Sequence, residues 1–277
     1  GDLYNIVMDS VKLNQEGVAP IKAELEAIDT LQDKGEIYTY IAEIQKKGIN
    51  PYFSLYIGAD DMNSSMNLVQ TYQGGIGMGQ RDYYLENDEQ TKNIRDKYQE
   101  DIAKMFQLAG YDEAAAQKAV KAVMNIETRF AKSARSQVEL RDPHANYNKM
   151  DMETLKKNFP TFAWDVYFTT SGLNDLKEVN VGQPAAMKEV ADVINTVSLD
   201  EQKLYLQWNL INSAASYLSD DFVAQDFDFY GKTMSGKKEM QPRWKRAVST
   251  VDGALGEVVG QMYVEKYFPA AAKERMV

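Results

Sequence analysis

The sequence predicts a mainly α-helical protein, a multi-helical lobe with one small β-hairpin near residues 52–72. Two patterns carry that reading. Apolar residues recur at spacings of three and four through most of the chain, and one short region alternates instead. From Ile94 to Ala109 the set Ile94, Tyr98, Ile102, Met105, Phe106 and Ala109 makes the stripe of an amphipathic helix. Gly110 breaks it, and Asp112 can cap a second helix whose inward residues are Ala116, Ala119, Val123, Ile126 and Phe130. A third, Leu199 to Leu218, places Leu204, Trp208, Ile211, Ala215 and Leu218 on one face, with Ser198 and Glu201 as its capping box. A fourth carries Val251, Leu255, Val258, Met262, Tyr263 and Tyr267 and stops before Pro269. Shorter helices are expected near 20–31, 36–47, 151–158 and 184–197. The exception is Pro51 to Gly58, where large apolar residues alternate. A polar turn from Ala59 to Asn63 and a return strand from Asn67 to Tyr72 complete the hairpin.

Composition narrows the chemistry. Forty-one acidic and 31 basic residues leave a net charge of −10, a field that repels phosphate backbones, so no nucleic-acid partner is expected. No stretch approaches the roughly 18 consecutive apolar residues of a membrane span. The absence of cysteine removes disulfides, thiolate nucleophiles and Cys-based metal sites. His144 is the single histidine, beside Pro143 in a polar turn, and reads as a surface residue. A catalytic zinc usually takes two or three imidazoles, and a Ser-His machine needs a His beside its nucleophile. The sequence offers neither.

The segments that invite a site reading resolve into structural ones. Gly75-Ile76-Gly77-Met78-Gly79 does not fit G-x-G-x-x-G, because Gln80 stands where the last glycine belongs, and no Gly-Lys-Ser/Thr follows. It reads as a tight turn needing positive φ and close backbone approach. Asp60-Asp61 and the group Asp220, Asp221, Asp226 and Asp228 read as solvated surface; Asp226 to Gly231 lacks the ligand pattern of a calcium loop. Lys232, Lys237, Lys238, Arg243, Lys245 and Arg246 form a basic stretch, either a hydrated helix start or an attractor for an anionic partner. Asn63-Ser64-Ser65 matches the glycosylation triplet, a pattern too common to weigh. Ala270 to Val277 reads as the start of a further helix, as in a piece of a longer protein.

Taken in order, several segments resemble the neprilysin-type zinc metallopeptidases, the family of neprilysin, endothelin-converting enzyme and bacterial oligopeptidase O. Gly58-Ala59-Asp60-Asp61-Met62-Asn63-Ser64 is similar to the family's D-x-x-N-S turn. Gln73 to Leu85 is similar to its Q-x-G-L-x-L-P-x-R-D-Y-Y, with Met78 and Gly79 standing where Leu and Pro are usual. Arg141-Asp142-Pro143 to Tyr147-Asn148-Lys149-Met150 resembles R-x-P-x-x-x-Y-N-K-M, and Pro160 to Trp164 resembles P-x-x-x-W. Arg243-Trp244 followed by Gly260-Gln261-Met262-Tyr263-Val264 and Phe268 resembles R-W-x-x-C and G-x-x-Y-V-x-x-x-F, with Ala247 in place of the cysteine.

The resemblance implies a large helical ectodomain whose two lobes enclose a chamber. The zinc would sit on a C-terminal lobe, on the two His of H-E-x-x-H and a downstream Glu, whose motifs lie beyond this sequence. Residues 1–277 would then be the capping lobe plus helices that pack on the catalytic lobe. The segment holds no cofactor of its own, and zinc belongs to the parent protein. Its partners would be the C-terminal catalytic domain of the same chain and peptide substrates. Arg81 and Arg243 are the candidates to face the chamber; Asn63, Gly75, Asp82, Tyr83, Tyr84, Trp244, Gly260 and Tyr263 form the structural motif. A bacterial cell envelope or secreted location fits this picture. The rival reading is a non-catalytic helical module that binds a peptide or partner protein. Under the first reading, apolar residues near 20–47 (Ile37, Ile41, Ile44) and on the 251–268 helix should lie exposed for the missing lobe. Metal analysis of the purified chain is expected to find no stoichiometric zinc; one tightly held ion per chain would contradict this.

Overall fold

The computed structural model describes residues 1–275. Its first helices are α1 (Asp2–Met8), α2 (Ser10–Glu16), α3 (Lys22–Asp29) and α4 (Gly35–Lys46), followed by strands β1 (Phe53–Asp60) and β2 (Asn63–Gln73). Helices α5 (Asp82–Leu85), α6 (Glu89–Leu108) and α7 (Glu113–Ser133) come next, then β3 (Lys149–Asp151), α8 (Met152–Asn158), α9 (Trp164–Thr170) and β4 (Glu178–Val181). The remainder is α10 (Pro184–Thr196), α11 (Leu199–Ala214), α12 (Asp220–Asp226), a π-helical stretch Phe227–Met234, α13 (Arg243–Tyr267) and α14 (Ala270–Glu274).

Local chemistry sets the helix starts. Asp88, Asp112 and Asp151 accept from the backbone N–H three residues on, and Ser198 accepts from Glu201, each satisfying an orphan amide of a first turn. Gly110, at φ +95°, lets the chain leave α6. Helix α7 is the centre of the packing, touching α5, α6, α10 and α11. Its buried Ala116, Ala119 and Ala122 let neighbours come close, while Val123, Ile126 and Phe130 fill the core. Helix α11 is buried on more sides than one stripe, through Tyr205, Leu206, Gln207, Trp208, Leu210 and Ile211, and turns 3₁₀ at Ala215–Tyr217. A second aromatic layer lies under α9, where Trp164 stacks on Phe168 with centroids 5.4 Å apart and Phe162 lies 4.2 Å from Trp164.

The hairpin is longer and less isolated than its sequence pattern. β1 and β2 pair antiparallel from Phe53↔Gln73 to Ala59↔Asn67, with a bulge at Ala59/Asp60 and a tip at Asp61-Met62. β2 also pairs parallel with β4, and β4 antiparallel with β3, giving a four-stranded sheet in the order β1-β2-β4-β3. Strands of three and four residues are too short to leave an alternation signal.

Three expectations are corrected. Asp60 is buried, not solvated: its Oδ1 accepts from Met62 N at 2.9 Å and Tyr147 Oη at 2.8 Å, and Oδ2 lies 3.2 Å from Lys149 Nζ. The backbone bond from Met62 leads in holding its carboxyl below the usual range. Thus the D-x-x-N-S turn and the Tyr147-Asn148-Lys149 segment, distant in sequence, are one contact. Ile37, Ile41 and Ile44 are buried within the chain, so α4 offers no apolar patch there. Helix α13 is not straight: Leu255 has φ −134° and breaks it. It does end at Tyr267 as the following proline requires, and Met276 and Val277 of the expected last helix lie outside the described residues. Replacing Asp60 by Ala strands Tyr147 Oη and the Met62 amide. Hydrogen exchange of Met62 to Asn67 is expected to quicken while the α7 core stays protected; uniform loss of protection would refute a local role.

Candidate functional site

Side chains from several helices brace the glycine turn between β2 and α5. Gly75 has φ +71°, and a Cβ there would meet Tyr205 Oη at 2.6 Å and Tyr52 Cα at 2.9 Å. At Gly77 a Cβ would fall inside the Tyr98 hydroxyl. Close approach, not a ligand, is what these glycines permit. Gly79 has φ +77°, a value proline's ring forbids, so the substitution of Gly for the usual Pro changes the turn locally. Met78, where Leu is usual, is buried.

Beneath the turn lies a carboxylate with no cation. Glu127, on α7 and 1% exposed, accepts from Tyr84 Oη at 2.5 Å and from Tyr98 Oη at 3.0 and 3.1 Å. Tyr98 in turn accepts from Trp208 Nε1 at 2.9 Å, and Tyr84 accepts from Met78 N at 3.1 Å. Burial pushes the Glu127 carboxyl up to about 7, against the opposing bonds from Tyr84, Tyr98 and the Gly77 N–H. Next to it Tyr205 Oη donates to Gly75 O at 2.8 Å and accepts from Tyr52 N at 3.1 Å. That bond helps hold Tyr52 at φ +64°, a left-handed conformation unusual for a bulky side chain. Tyr230, in the π-helical stretch, donates to Gly77 O at 3.2 Å and accepts from Asn212 Nδ2 at 2.8 Å.

Arg81 donates Nη1 to Ala134 O at 2.6 Å, the carbonyl that ends α7, where positive charge complements the helix dipole. Asp82 is exposed and opens α5; Tyr83 is half-buried against the core; Tyr84 is one of the two hydroxyl donors to Glu127. Arg95 closes α5 from outside, donating to the carbonyls of Tyr83, Tyr84 and Glu86 at 3.1, 2.5 and 2.9 Å. Asn63 sits exposed at the hairpin tip and accepts from Ser65 Oγ at 2.7 Å.

The second group stands apart, on α13. Arg243 donates Nη1 to Val7 O at 2.9 Å and pairs with Asp220. Trp244 is 51% and Tyr263 59% exposed, and nothing lies within 4 Å of a Cβ built at Gly260. Arg81 and Arg243 share no partner. The sequence reading placed Tyr98 and Trp208 on apolar helix faces without a polar role, and it missed Glu127, Tyr205 and Arg95. The available signal was an acid on an apolar stripe: Glu127 falls four residues after Val123 and four before Ala131. Asp101 repeats it on α6, buried, accepting from Gln225 Nε2 at 2.9 Å with Oδ2 unpartnered. Burial, with Asp226 and Asp228 nearby, raises its carboxyl to about 7.

The donor set does not fit a zinc ion. The one histidine is exposed, and among the described residues no group of three or more His, Asp or Glu could hold a metal. No described helix is long and apolar enough to cross a membrane. Fold and site define a helical scaffold whose buried polar groups brace a turn and leave one long helix facing outward. The chain belongs to peptidase family M13, whose N-terminal family model matches residues 1–277. Human endothelin-converting enzyme 1 is 30% identical over 230 residues, 81% of this chain and 30% of that protein. The zinc metalloprotease Zmp1 of Mycobacterium tuberculosis in its open state superposes with a TM-score of 0.93 at 32% identity, over 100% of this chain and 43% of that one. The inhibitor-bound form of Zmp1 gives 0.92 at the same identity, with 42% of that chain covered. The chain thus spans about a third of the length of the curated relatives it matches and under half of these structures.

The two raised carboxyls have a definite linkage. Protonation favours the folded state, so their contribution is complete below the unfolded carboxylate range, near pH 4, and is lost as pH rises through about 7. Tm is expected to fall between pH 5.5 and 8, each group contributing at most ~1.4 kcal/mol per pH unit. Glu127→Gln should flatten that slope and lower stability at pH 5.5 by roughly 1–3 kcal/mol, because an amide nitrogen, unlike the hydroxyl oxygen of a protonated carboxyl, accepts no bond from a tyrosine hydroxyl. An unchanged slope in thermal melts would remove Glu127 from the account.

Proposed function

We propose that residues 1–277 are the N-terminal, non-catalytic portion of a zinc endopeptidase that cleaves oligopeptides. In this reading the chain forms a wall of the reaction chamber and limits substrate size, while a C-terminal lobe supplies zinc and general base. The observation that carries it is α13. Among its residues only Ala247 is buried, while Val248, Leu255, Val258, Met262, Tyr263 and Tyr267 stand 45–63% exposed on either side of the kink at Leu255. Apolar surface so arranged marks an interaction face. The relatives and structural neighbours run well beyond the matched length, which supports a further lobe as its partner.

A wall of this kind needs rigidity rather than reactive groups. The glycine turn supplies it: Tyr84, Tyr98, Tyr205 and Tyr230 fix its backbone from inside, and Arg81 ties it to the end of α7. Arg81 and Arg243 both engage carbonyls of this chain, which favours structural roles over contact with a substrate carboxylate. The similarity to a mycobacterial protein supports a bacterial protein, and we place it at the envelope or outside the cell.

The test compares the whole protein with this chain alone. The whole protein should hydrolyse a fluorogenic peptide of about ten residues, lose that activity to a chelator and spare a folded protein substrate; residues 1–277 should be inactive. Turnover by the 277-residue chain in the presence of chelator would overturn the reading. In the whole protein Arg81→Ala should lower Tm more than it raises KM. A KM at least tenfold higher with unchanged Tm would make Arg81 a substrate contact.

A further inference from the structure

A cleft of about 590 Å³ opens between α1, the Ala215–Tyr217 turn, α12 and the first half of α13. Its walls are apolar, from Leu3, Ile6, Val7, Leu13, Leu218 and Val223, and two arginines of α13 line it. The two are in different states. Arg243 is held by Val7 O and Asp220, and Asp220 is further held by Asn14, which donates Nδ2 to its Oδ2 at 2.9 Å and accepts from its backbone N at 2.8 Å. This knot joins α1, α2, α12 and α13 at the cleft floor. Arg246 donates only Nε to Gln241 O at 3.2 Å, and no carboxylate lies within ion-pair distance of it among the described residues. Burial, and then the like charge of Arg243, weaken its hold on its proton. Two guanidiniums therefore line an apolar cleft with one carboxylate, which Arg243 holds, a local excess of one positive charge on a chain whose net charge is −10.

We infer that this cleft receives an acidic side chain set among apolar neighbours on the C-terminal lobe of the same protein, with Arg246 as its counter-charge. Charge complementarity selects the carboxylate, since a guanidinium offers a fork of donors that a carboxylate matches and an ammonium cannot. Continuity selects the lobe. The cleft runs along α13 to Gly253 and Ala254, and exposed apolar residues continue from the next residue, Leu255, to Tyr267, so one partner surface can cover both. Small residues make room for it: Ser249, Gly253 and Ala254 bring no bulk to the cleft side of the helix. The inference rests on the lobe-packing reading above and adds to it the residue and the chemistry of the contact.

The whole protein carrying Arg246→Lys, which keeps the charge and introduces a reactive amine, is treated with a carbodiimide and mapped by mass spectrometry beside the unaltered protein. The expected result is a new zero-length cross-link from position 246 to an Asp or Glu that follows Val277 in the chain. A link to Asp220 alone, to a segment preceding Gly1, to a second molecule, or no link at all overturns the inference. Hydrogen exchange on the same unaltered protein separates the two levels. If Leu255 to Tyr267 are no better protected than in the 277-residue chain, the lobe-packing reading fails and takes this one with it. Protection of that stripe without the cross-link refutes the assignment of Arg246 alone.

Discussion

The constraint on which the rest depends is the burial of Glu127. A carboxylate taken out of water without a cation is costly by several kcal/mol unless its lone pairs are met. Here the groups that favour its charge are neutral donors: two tyrosine hydroxyls, an indole behind one of them, and the Gly77 amide. Meeting that demand requires α6, α7, α11 and the glycine turn to arrive at one point, because Tyr98, Glu127, Trp208 and Gly77 come from those four places. Glycine at 77 follows directly, since the backbone must approach Tyr98 more closely than any side chain allows. The same demand extends outward. Tyr84 reaches Glu127 only if α5 is folded, and Arg95 secures α5 by filling three of its terminal carbonyls. The R-D-Y-Y segment therefore has a mechanical meaning: one residue ties the loop to α7, one opens a short helix, and one delivers a hydroxyl to the buried acid.

Much of this was legible in the sequence, and the limits were physical. The long helices showed because their stripes repeat over four or more turns, and their starts showed because Asp and Ser caps are local chemistry. The hairpin showed because eight residues alternate. Strands β3 and β4 did not, for they exist only through pairing, β4 with β2 and β3 with β4, contacts of high sequence separation. The glycine turn was readable as a turn, but its acid was not, because Glu127 becomes informative only when its apolar phase on α7 is set against the hydroxyls of α5 and α6. Asp60 misled for the opposite reason: beside Asp61 in a polar turn it has every mark of a solvated residue, and only Tyr147 and Lys149, some ninety positions on, make it an anchor.

The arginines draw the distinction between internal and outward surface that composition cannot. Arg81, Arg95 and Arg243 all terminate on carbonyls of this chain, where a forked cation fastens helix ends and loops. Such residues are positioned by folding itself, and a free peptide would have to compete with covalently tethered acceptors for them. Arg246, one turn from Arg243 on the same helix, gives only Nε to a carbonyl, Gln241 O, and has no carboxylate within ion-pair distance among the described residues. A chain of net charge −10 has acids to spare, so an arginine held in an apolar cleft without one is not short of counter-charge by composition. It is short of one by geometry. Around Glu127 the interior meets its polar demand, at the expense of a buried acid and a left-handed tyrosine, though Asp101 Oδ2 stays unpartnered on α6, while α13 keeps an apolar stripe and one cation open. That asymmetry, a closed hub around Glu127 and an open helix late in the chain, is what the proposed packing against a further lobe requires.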